Sequence, residues 1–450
     1  MQRPKNIVVL VADSLRYDSV YETGIGLPYA EKHGVQFTEA RSGGCWTLPG
    51  TASLFTGLLP HEHGATEQTR GIHGHVPTLA EQMQIAGYKT YQITANIATT
   101  EIFGLDRGFD EVHRIWKHVD PKFNALQKFL VLIGKPRLRE KLMSRDMLMN
   151  KMSADIDMSK TWLQSTHEDV FNMARRILAQ NESKGQGSFL FLNLMETHFP
   201  YHVAPTFQLT GDGLLDKVRE VVSLFHFVNQ TFLVRGEQNI SRRQLDVLKD
   251  RQRAAWRSMA SAVDGFLREL HENTGNLVVF LADHGENFGE SGWTYHFSNV
   301  TDAGNKVPLF YLDHEPRPAG TVSTPIGTRH LYDTILKAAG RPTKGPDLFD
   351  GAGRAWPVMS SYWYNNRGKT HPSFLYNQMA FLSRPNRFML RNNEWYQAPF
   401  ETDYDEPQYQ KLPAGVDPVE EMVFDAEQKK YYRQVVSDFR AFSSKIKFYS

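Results

Sequence analysis

Asn6-Ile-Val-Val-Leu-Val-Ala-Asp-Ser-Leu-Arg-Tyr-Asp18 is the stretch that decides how this chain is read. Residues 6–12 form an almost unbroken apolar run rich in β-branched side chains, the pattern of a strand buried on both faces of a parallel sheet. The run stops at Asp13-Ser14-Leu15-Arg16, so a carboxylate sits at the strand's C-terminal end. Ligands gather at that edge in open α/β sheets.

Working outward, the same grammar repeats. Ser42-Gly-Gly-Cys-Trp-Thr-Leu-Pro-Gly50 is a Gly/Pro-rich loop, and Thr51–Thr56 predicts a short helix stopped by Gly57. A helix over Thr78–Ala86, closed by Gly87, leads to a strand at Lys89–Thr94. A helix over His167–Leu178 precedes a strand at Ser188–Leu194, and a helix over Val247–Glu272 precedes strands at Asn276–Leu281 and Val307–Leu312. This alternation predicts an α/β fold over residues 1–345, a mostly parallel central sheet with helices on both faces. Residues 115–165, rich in Lys, Arg and Met, and the irregular residues 203–245 break the pattern and are read as insertions. Within the first, Lys128–Met152 is a candidate substrate cap, partner helix or membrane-surface contact. Beyond Gly345 the helical pattern fades. Strand-like pieces at Gln378–Leu382 and Arg387–Arg391, then a helix around Ala426–Phe442, predict a smaller C-terminal antiparallel β subdomain over residues 346–450.

The totals limit the partners. Lys and Arg number 51 against 50 Asp and Glu, so no global charge argues for a nucleic acid polymer or an anionic membrane. The single cysteine, Cys45, cannot form an intrachain disulfide, which fits a reducing compartment. The apolar run ending at Ala12 is cut by Asp13 and Arg16 too soon for a secretory signal. The apolar piece Phe129–Gly134 falls far short of the ~20 residues of a spanning helix. A cytoplasmic chain is expected, with its oligomeric state left open.

Three strand ends carry ligand-type side chains: Asp13, His198 (in Met195-Glu-Thr-His-Phe-Pro-Tyr201) and the pair Asp283-His284. Thr47 lies on the Gly/Pro loop ahead of a helix. Two carboxylates and an imidazole suit a divalent Zn, Mn or Mg ion. Such an ion lowers the pKa of a neighbouring hydroxyl and makes it a usable nucleophile. The helix N-terminus near Pro49-Gly50 offers amide donors to a tetrahedral oxyanion. Each piece alone has an ordinary structural reading: a turn, a cap, a packed loop histidine. Their order along the chain is what gives them meaning.

In that order the sequence resembles the alkaline phosphatase–sulfatase superfamily, and more closely its sulfatase-like branch. Residues 6–18 look like that branch's opening strand with its metal-binding aspartate, here Asp13. Thr47-Leu-Pro-Gly-Thr-Ala-Ser-Leu-Phe-Thr-Gly57, continuing to Pro60-His-Glu-His-Gly64, is similar to the nucleophile segment. Leu277–Glu290 resembles the strand and Asp-His-Gly-Glu segment, which gives Asp283 and His284 the metal role. By the same resemblance His198 binds the substrate's anionic oxygens or assists the leaving group, and His296 contacts the transferred group or a metal. Asn96 stands near the family's anion-binding lysine and is a candidate substrate contact.

Three departures shape the expected chemistry. Thr47 stands where sulfatases carry the Cys or Ser matured to formylglycine, and Cys45 is two residues early. A threonine resembles the phosphodiesterase and phosphonate-hydrolase relatives, so the expectation is a phosphate-ester hydrolase acting through a covalent phospho-threonine. Ser14 replaces the second aspartate of the usual pair, which with His284 favours Mn or Zn, leaving Mg and Ca open. No second-site Asp-x-x-x-His is evident, and Asp264 fits a structural helix better than a ligand. His61 and His63 are read as structural, and Lys306 as architectural. The expected partner is a small-molecule or glycan-linked ester. The alternatives are a sulfatase without formylglycine, a phospho-alcohol transferase, or a non-catalytic binding protein.

Overall fold

The computed structural model describes residues 2–117 (without 22 and 67–68), 165–233 (without 204–207), 240–350 (without 274, 297–298 and 344), 358–360, 377–402 (without 392), 408–421 and 426–445. Eight strands make the central sheet: β1 Asn6–Ala12, β2 Val35–Phe37, β3 Lys89–Thr94, β4 Glu111–Arg114, β5 Ser188–Leu194, β6 Asn276–Leu281, β7 Leu309–Leu312 and β8 Gly320–Val322. Their spatial order is β8-β2-β7-β6-β1-β5-β3-β4. Strand β1 lies in the interior with β5 and β6 parallel on either side, and Asn6 sits opposite both Ser188 and Asn276. Every residue of these three strands is buried, as their apolar composition requires. The exception to parallel pairing is β7, which runs antiparallel to both β6 and β2.

Helices cover both faces. Three matter for the site: α1 (Thr47–Thr56), α2 (Leu214–Leu233) and α3 (Arg242–Glu272). Strand register puts Phe191, Val9 and Val279 on one face and Leu192, Leu10 and Phe280 on the other. Phe55 of α1 packs on Phe191 with ring centroids 4.8 Å apart, whereas Trp256 of α3 stacks on Phe280 at 5.8 Å. The two helices therefore sandwich the sheet.

The structure corrects two sequence expectations. Helix α1 starts at Thr47 rather than Thr51; Pro49 falls in its first turn, where a missing N–H costs nothing. Residues 203–245 are not all irregular: they contain α2 and the start of α3, which is capped by Ser241 with Gln244. Most of the other expected insertion, including Lys128–Met152, lies outside the described residues. Among the described residues no helix is long and apolar enough to cross a membrane.

The C-terminal part is an antiparallel sheet of Val358–Ser360, Gln378–Ser383, Asn386–Arg391, Glu394–Pro399 and Gln410–Lys411. Helix Ala426–Ser444 packs on it through Tyr432, Val435, Val436 and Phe439, against Phe381 and Trp395. Leu59, just beyond α1, joins that core, and Arg387 pairs with Asp302 at 3.2 Å. Both contacts tie the small sheet to the flank of the large one.

Candidate active site

Parallel pairing of β1 with β6 sets Val11 opposite Leu281, so both strands end together at one edge of the sheet. Asp13 and Asp283 follow those ends and are buried. Helix α1 is drawn onto the same edge. The Ser42 hydroxyl donates to the Asp283 carbonyl, and Gly50 in the first turn of α1 lies so close that a Cβ there would stand 2.6 Å from that same carbonyl oxygen. Only a glycine lets the helix approach to this distance. The first residue of α1 is Thr47, at 4% exposure. Pro49 has no N–H and the Gly50 N–H is given to Trp46 O at 3.1 Å, leaving Thr47 and Leu48 as the first-turn amide donors.

The side chains then converge. Thr47 Oγ1 lies 3.4 Å from Asp13 Oδ2 and 3.4 Å from His284 Nε2. His284 Nε2 is 3.6 Å from Asp13 Oδ1 and 3.6 Å from Asp283 Oδ2. Ser14, held at φ 59°, ties the carboxylates together: its hydroxyl donates to Asp13 Oδ1 at 3.1 Å and its N–H to Asp283 Oδ1 at 3.3 Å. The Asn96 amide donates to Asp13 Oδ2 at 2.5 Å and to Thr47 Oγ1 at 3.3 Å. Its carbonyl caps the following turn by accepting from Ala98 N.

Electrostatics describe what this cluster wants. Burial, and then the charge of Asp13, push the Asp283 carboxyl well above the usual carboxylate range. Its Oδ2 is buried with no hydrogen-bond partner. Burial holds His284 down to about 4, so its imidazole is neutral, and Nδ1 is committed to Gly285 O at 2.7 Å. That leaves Nε2 to accept from the cluster side. Ligand atoms of Asp13, Asp283 and His284 all fall within 4.8 Å of one another. Two facing carboxylates, an unpartnered buried oxygen and a neutral imidazole nitrogen fit one divalent cation.

His296 and His198 form the next layer. The His296 ring centroid is 4.6 Å from that of His284 and 5.0 Å from that of His198. His198 Nδ1 meets Phe199 O at 2.9 Å, and Tyr295 Oη is 3.4 Å from its Nε2. His296 Nδ1 meets both oxygens of Glu286, at 3.1 and 3.2 Å. All seven residues singled out by sequence thus sit in one neighbourhood, with Asp13, Thr47, Asn96, Asp283 and His284 linked through contacts to Asp13 and His284. Sequence reasoning gave no role to Glu286, Tyr201 or Tyr295; only a fold that returns 295–296 beside 284–286 brings them in.

The remaining candidates are structural. Asp264 accepts from the N–H groups of Tyr29 and Ala30 at 3.0–3.2 Å, capping helix Pro28–His33. His63 is buried against Ser53 Oγ at 3.1 Å, and His61 packs on Phe439. Lys306 pairs with Glu39 at 2.8 Å and lies over the Tyr17 ring. Cys45 is fully buried, its sulfur accepts from Asn299 N, and burial pushes its thiol up to about 12. Such a thiol is inert.

Known proteins resemble this chain in sequence and in fold. Arylsulfatase K of Xenopus laevis is 23% identical over 424 residues, covering 87% of this chain and 73% of that one. The crystal structure of the phosphonate monoester hydrolase of Agrobacterium radiobacter matches with a TM-score of 0.63 at 15% identity, over 98% of this chain and 96% of that one. The phosphonate monoester hydrolase of Silicibacter pomeroyi matches with a TM-score of 0.58 at 16% identity, over the same shares. At these identities the structural matches speak for the fold, an alkaline phosphatase-like one. The sulfatase family model matches residues 5–341, most of the chain. Matched over that span, this chain belongs to the sulfatase family.

Proposed function

We propose that this hydrolase of phosphoric or sulfuric esters prefers phosphorus, cleaving phosphodiesters or phosphonate monoesters through a covalent intermediate on Thr47. One observation carries the reading: Thr47 Oγ1 stands 3.4 Å from both Asp13 Oδ2 and His284 Nε2, at the first residue of a helix. Asp13, Asp283 and His284 would hold the cation, Mn or Zn before Mg or Ca. When bound, a divalent ion supplies positive charge that polarises the ester oxygen and the threonine hydroxyl.

The chain's own groups do the rest. Asn96 donates to Thr47 Oγ1 and orients it. Attack forms a bond from Oγ1 to phosphorus and breaks the bond to the leaving oxygen, the proton lost from Oγ1 being made good on that oxygen as it departs as the alcohol; water then cleaves the phospho-threonine, adding its hydroxyl to phosphorus and its proton to Oγ1. Amides of the first turn of α1 favour the developing oxyanion. His198 and His296 are assigned to the anionic oxygens and the leaving oxygen. Cys45 supports direct use of Thr47, because its sulfur is taken by the Asn299 N–H and lies outside the Asp13–Asp283–His284 cluster. A sulfated threonine would have no comparably easy release, which favours phosphorus.

The second reading is sulfate-ester hydrolysis without formylglycine, favoured by the similarity to arylsulfatase K. A panel decides: purified protein loaded with Mn, Zn, Mg or Ca, offered p-nitrophenyl phosphate, a phenylphosphonate monoester, bis-(p-nitrophenyl) phosphate and p-nitrophenyl sulfate. Turnover of the phosphorus esters is expected, and turnover of sulfate alone overturns the assignment. The proposed substrate is a small or glycan-linked ester. With one buried cysteine, the proposed location is the cytoplasm, to be checked by fractionation.

A further inference from the structure

Three imidazoles stand together at the site, and in each one Nδ1 is already engaged. His284 uses Gly285 O and His198 uses Phe199 O, in both cases the carbonyl of the next residue. Those two ring orientations follow from their own backbone. His296 differs, because its Nδ1 meets the carboxyl of Glu286, ten residues back in the chain.

Glu286 is itself fixed from several sides. It is fully buried, its N–H donates to Ala303 O at 2.9 Å, and its carbonyl accepts from Arg16 Nη1 at 2.7 Å. The Tyr201 hydroxyl donates to its Oε2 at 3.3 Å. Tyr201 (φ 59°) and Tyr295, the residue before His296 (φ 64°), both occupy the left-handed region that non-glycine residues seldom adopt. Strained backbone of this kind persists where surrounding contacts over-determine it, and it clusters at functional sites. A carboxyl buried completely is costly unless it is hydrogen-bonded, and Tyr201 Oη and His296 Nδ1 are the side-chain partners that meet Glu286.

We propose that Glu286 is a positioning residue: it grips His296 by Nδ1 and so commits Nε2 as the nitrogen that serves the bound ester. This rests on the reading that His296 acts on the substrate. Outer partners of this type fix ring orientation, and their loss typically lowers activity about 10–100-fold.

The test compares Glu286→Leu, which removes the acceptor at similar bulk, with Glu286→Gln, which keeps one acceptor oxygen. Each is also made in a His296→Ala background and assayed on bis-(p-nitrophenyl) phosphate with Mn. Glu286→Ala accompanies the leucine variant in case the latter folds poorly. Leucine or alanine should lower kcat about 10–100-fold with little change in KM, glutamine should restore most of the rate, and neither should matter once His296 is alanine. The 15N ring shifts of His296 should move in the leucine variant and much less in the glutamine variant. A pure packing role gives the reverse order, with leucine tolerated. If His296→Ala is slow but Glu286→Leu is not, or if the two losses multiply, this proposal fails and the site reading stands. If His296→Ala keeps full rate, both fail.

Discussion

Gly50→Ala probes the docking of α1 onto the strand edge that carries Asp283. The substitution keeps an ordinary helical backbone, since Gly50 is not among the glycines with positive φ. Beyond the helix-propensity gain of any such change, it places a methyl group 2.6 Å from Asp283 O and 3.0 Å from Ser42 Oγ, where ordinary contact begins at 3.4 Å. The nearest atom is backbone, so α1 and the Asp283 loop must part by about 0.8 Å. Forcing a methylene-sized group into packed structure typically costs about 1–3 kcal/mol. Displacement on the scale of 1 Å at reacting groups can cost about 100-fold in rate. The expected result is a melting point lower by several degrees and kcat down about 10–100-fold. Gly265→Ala is the control: nothing lies within 4 Å of its new methyl, and helix propensity should raise stability by about 0.5–1 kcal/mol. Differential scanning fluorimetry and the diester assay read both variants. Unchanged melting and rate in Gly50→Ala would refute the claim that close approach of α1 sets the site.

Three further outcomes are expected. Burial alone would raise the Glu196 carboxyl, but the hydrogen bond and charge of His167, with Thr166 N–H and Ser165 Oγ, hold it down to about 2. His167 is raised above its ordinary value because Glu196 outweighs burial. The carboxylate's contribution, about 3 kcal/mol as an upper bound, is present above pH ~4.5 and lost as pH falls toward 2. The imidazolium's is present below pH ~6.5 and lost as pH rises through its raised value. A melting-point profile of Glu196→Gln should therefore converge on the parent's at low pH and differ most between those limits. Asp264→Ala should cost about 1 kcal/mol through loss of a helix cap while leaving metal content unchanged, which mass spectrometry of metals checks. Cys45→Ala should keep at least a third of the activity, and intact-mass analysis of the parent protein should give an unmodified cysteine; a rate loss beyond about tenfold would contradict the assignment of Thr47.

How much of this was legible beforehand varies by element. Strands β1, β5 and β6 announce themselves because a strand buried on both faces must be apolar throughout, and their ends mark the site. The direction of β7 was not legible, since an apolar run such as Leu309–Leu312 has no polarity of its own. Strands Val35–Phe37 and Gly320–Val322 are too short, and the edge strand Glu111–Arg114 too polar, to stand out. Helix α2 was hidden because its apolar residues do not all face inward: Leu214, Leu215, Val218 and Val222 are exposed while Leu224 and Phe227 are buried. In the site, Asp13, Thr47, Asp283 and His284 follow strands or open a helix, positions with a local signature. Glu286 closes the Asp-His-Gly-Glu segment, but nothing local gives it a role, because its partner His296 is reached only through a loop whose path no local pattern specifies.

Diffraction from crystals soaked in manganese, recorded at its absorption edge, addresses the core of this account. A single strong anomalous peak should appear about 2.0–2.2 Å from carboxylate oxygens of Asp13 and Asp283 and from His284 Nε2, with Thr47 Oγ1 the nearest hydroxyl. A peak bound elsewhere, or no peak at the three side chains under saturating metal, would contradict it.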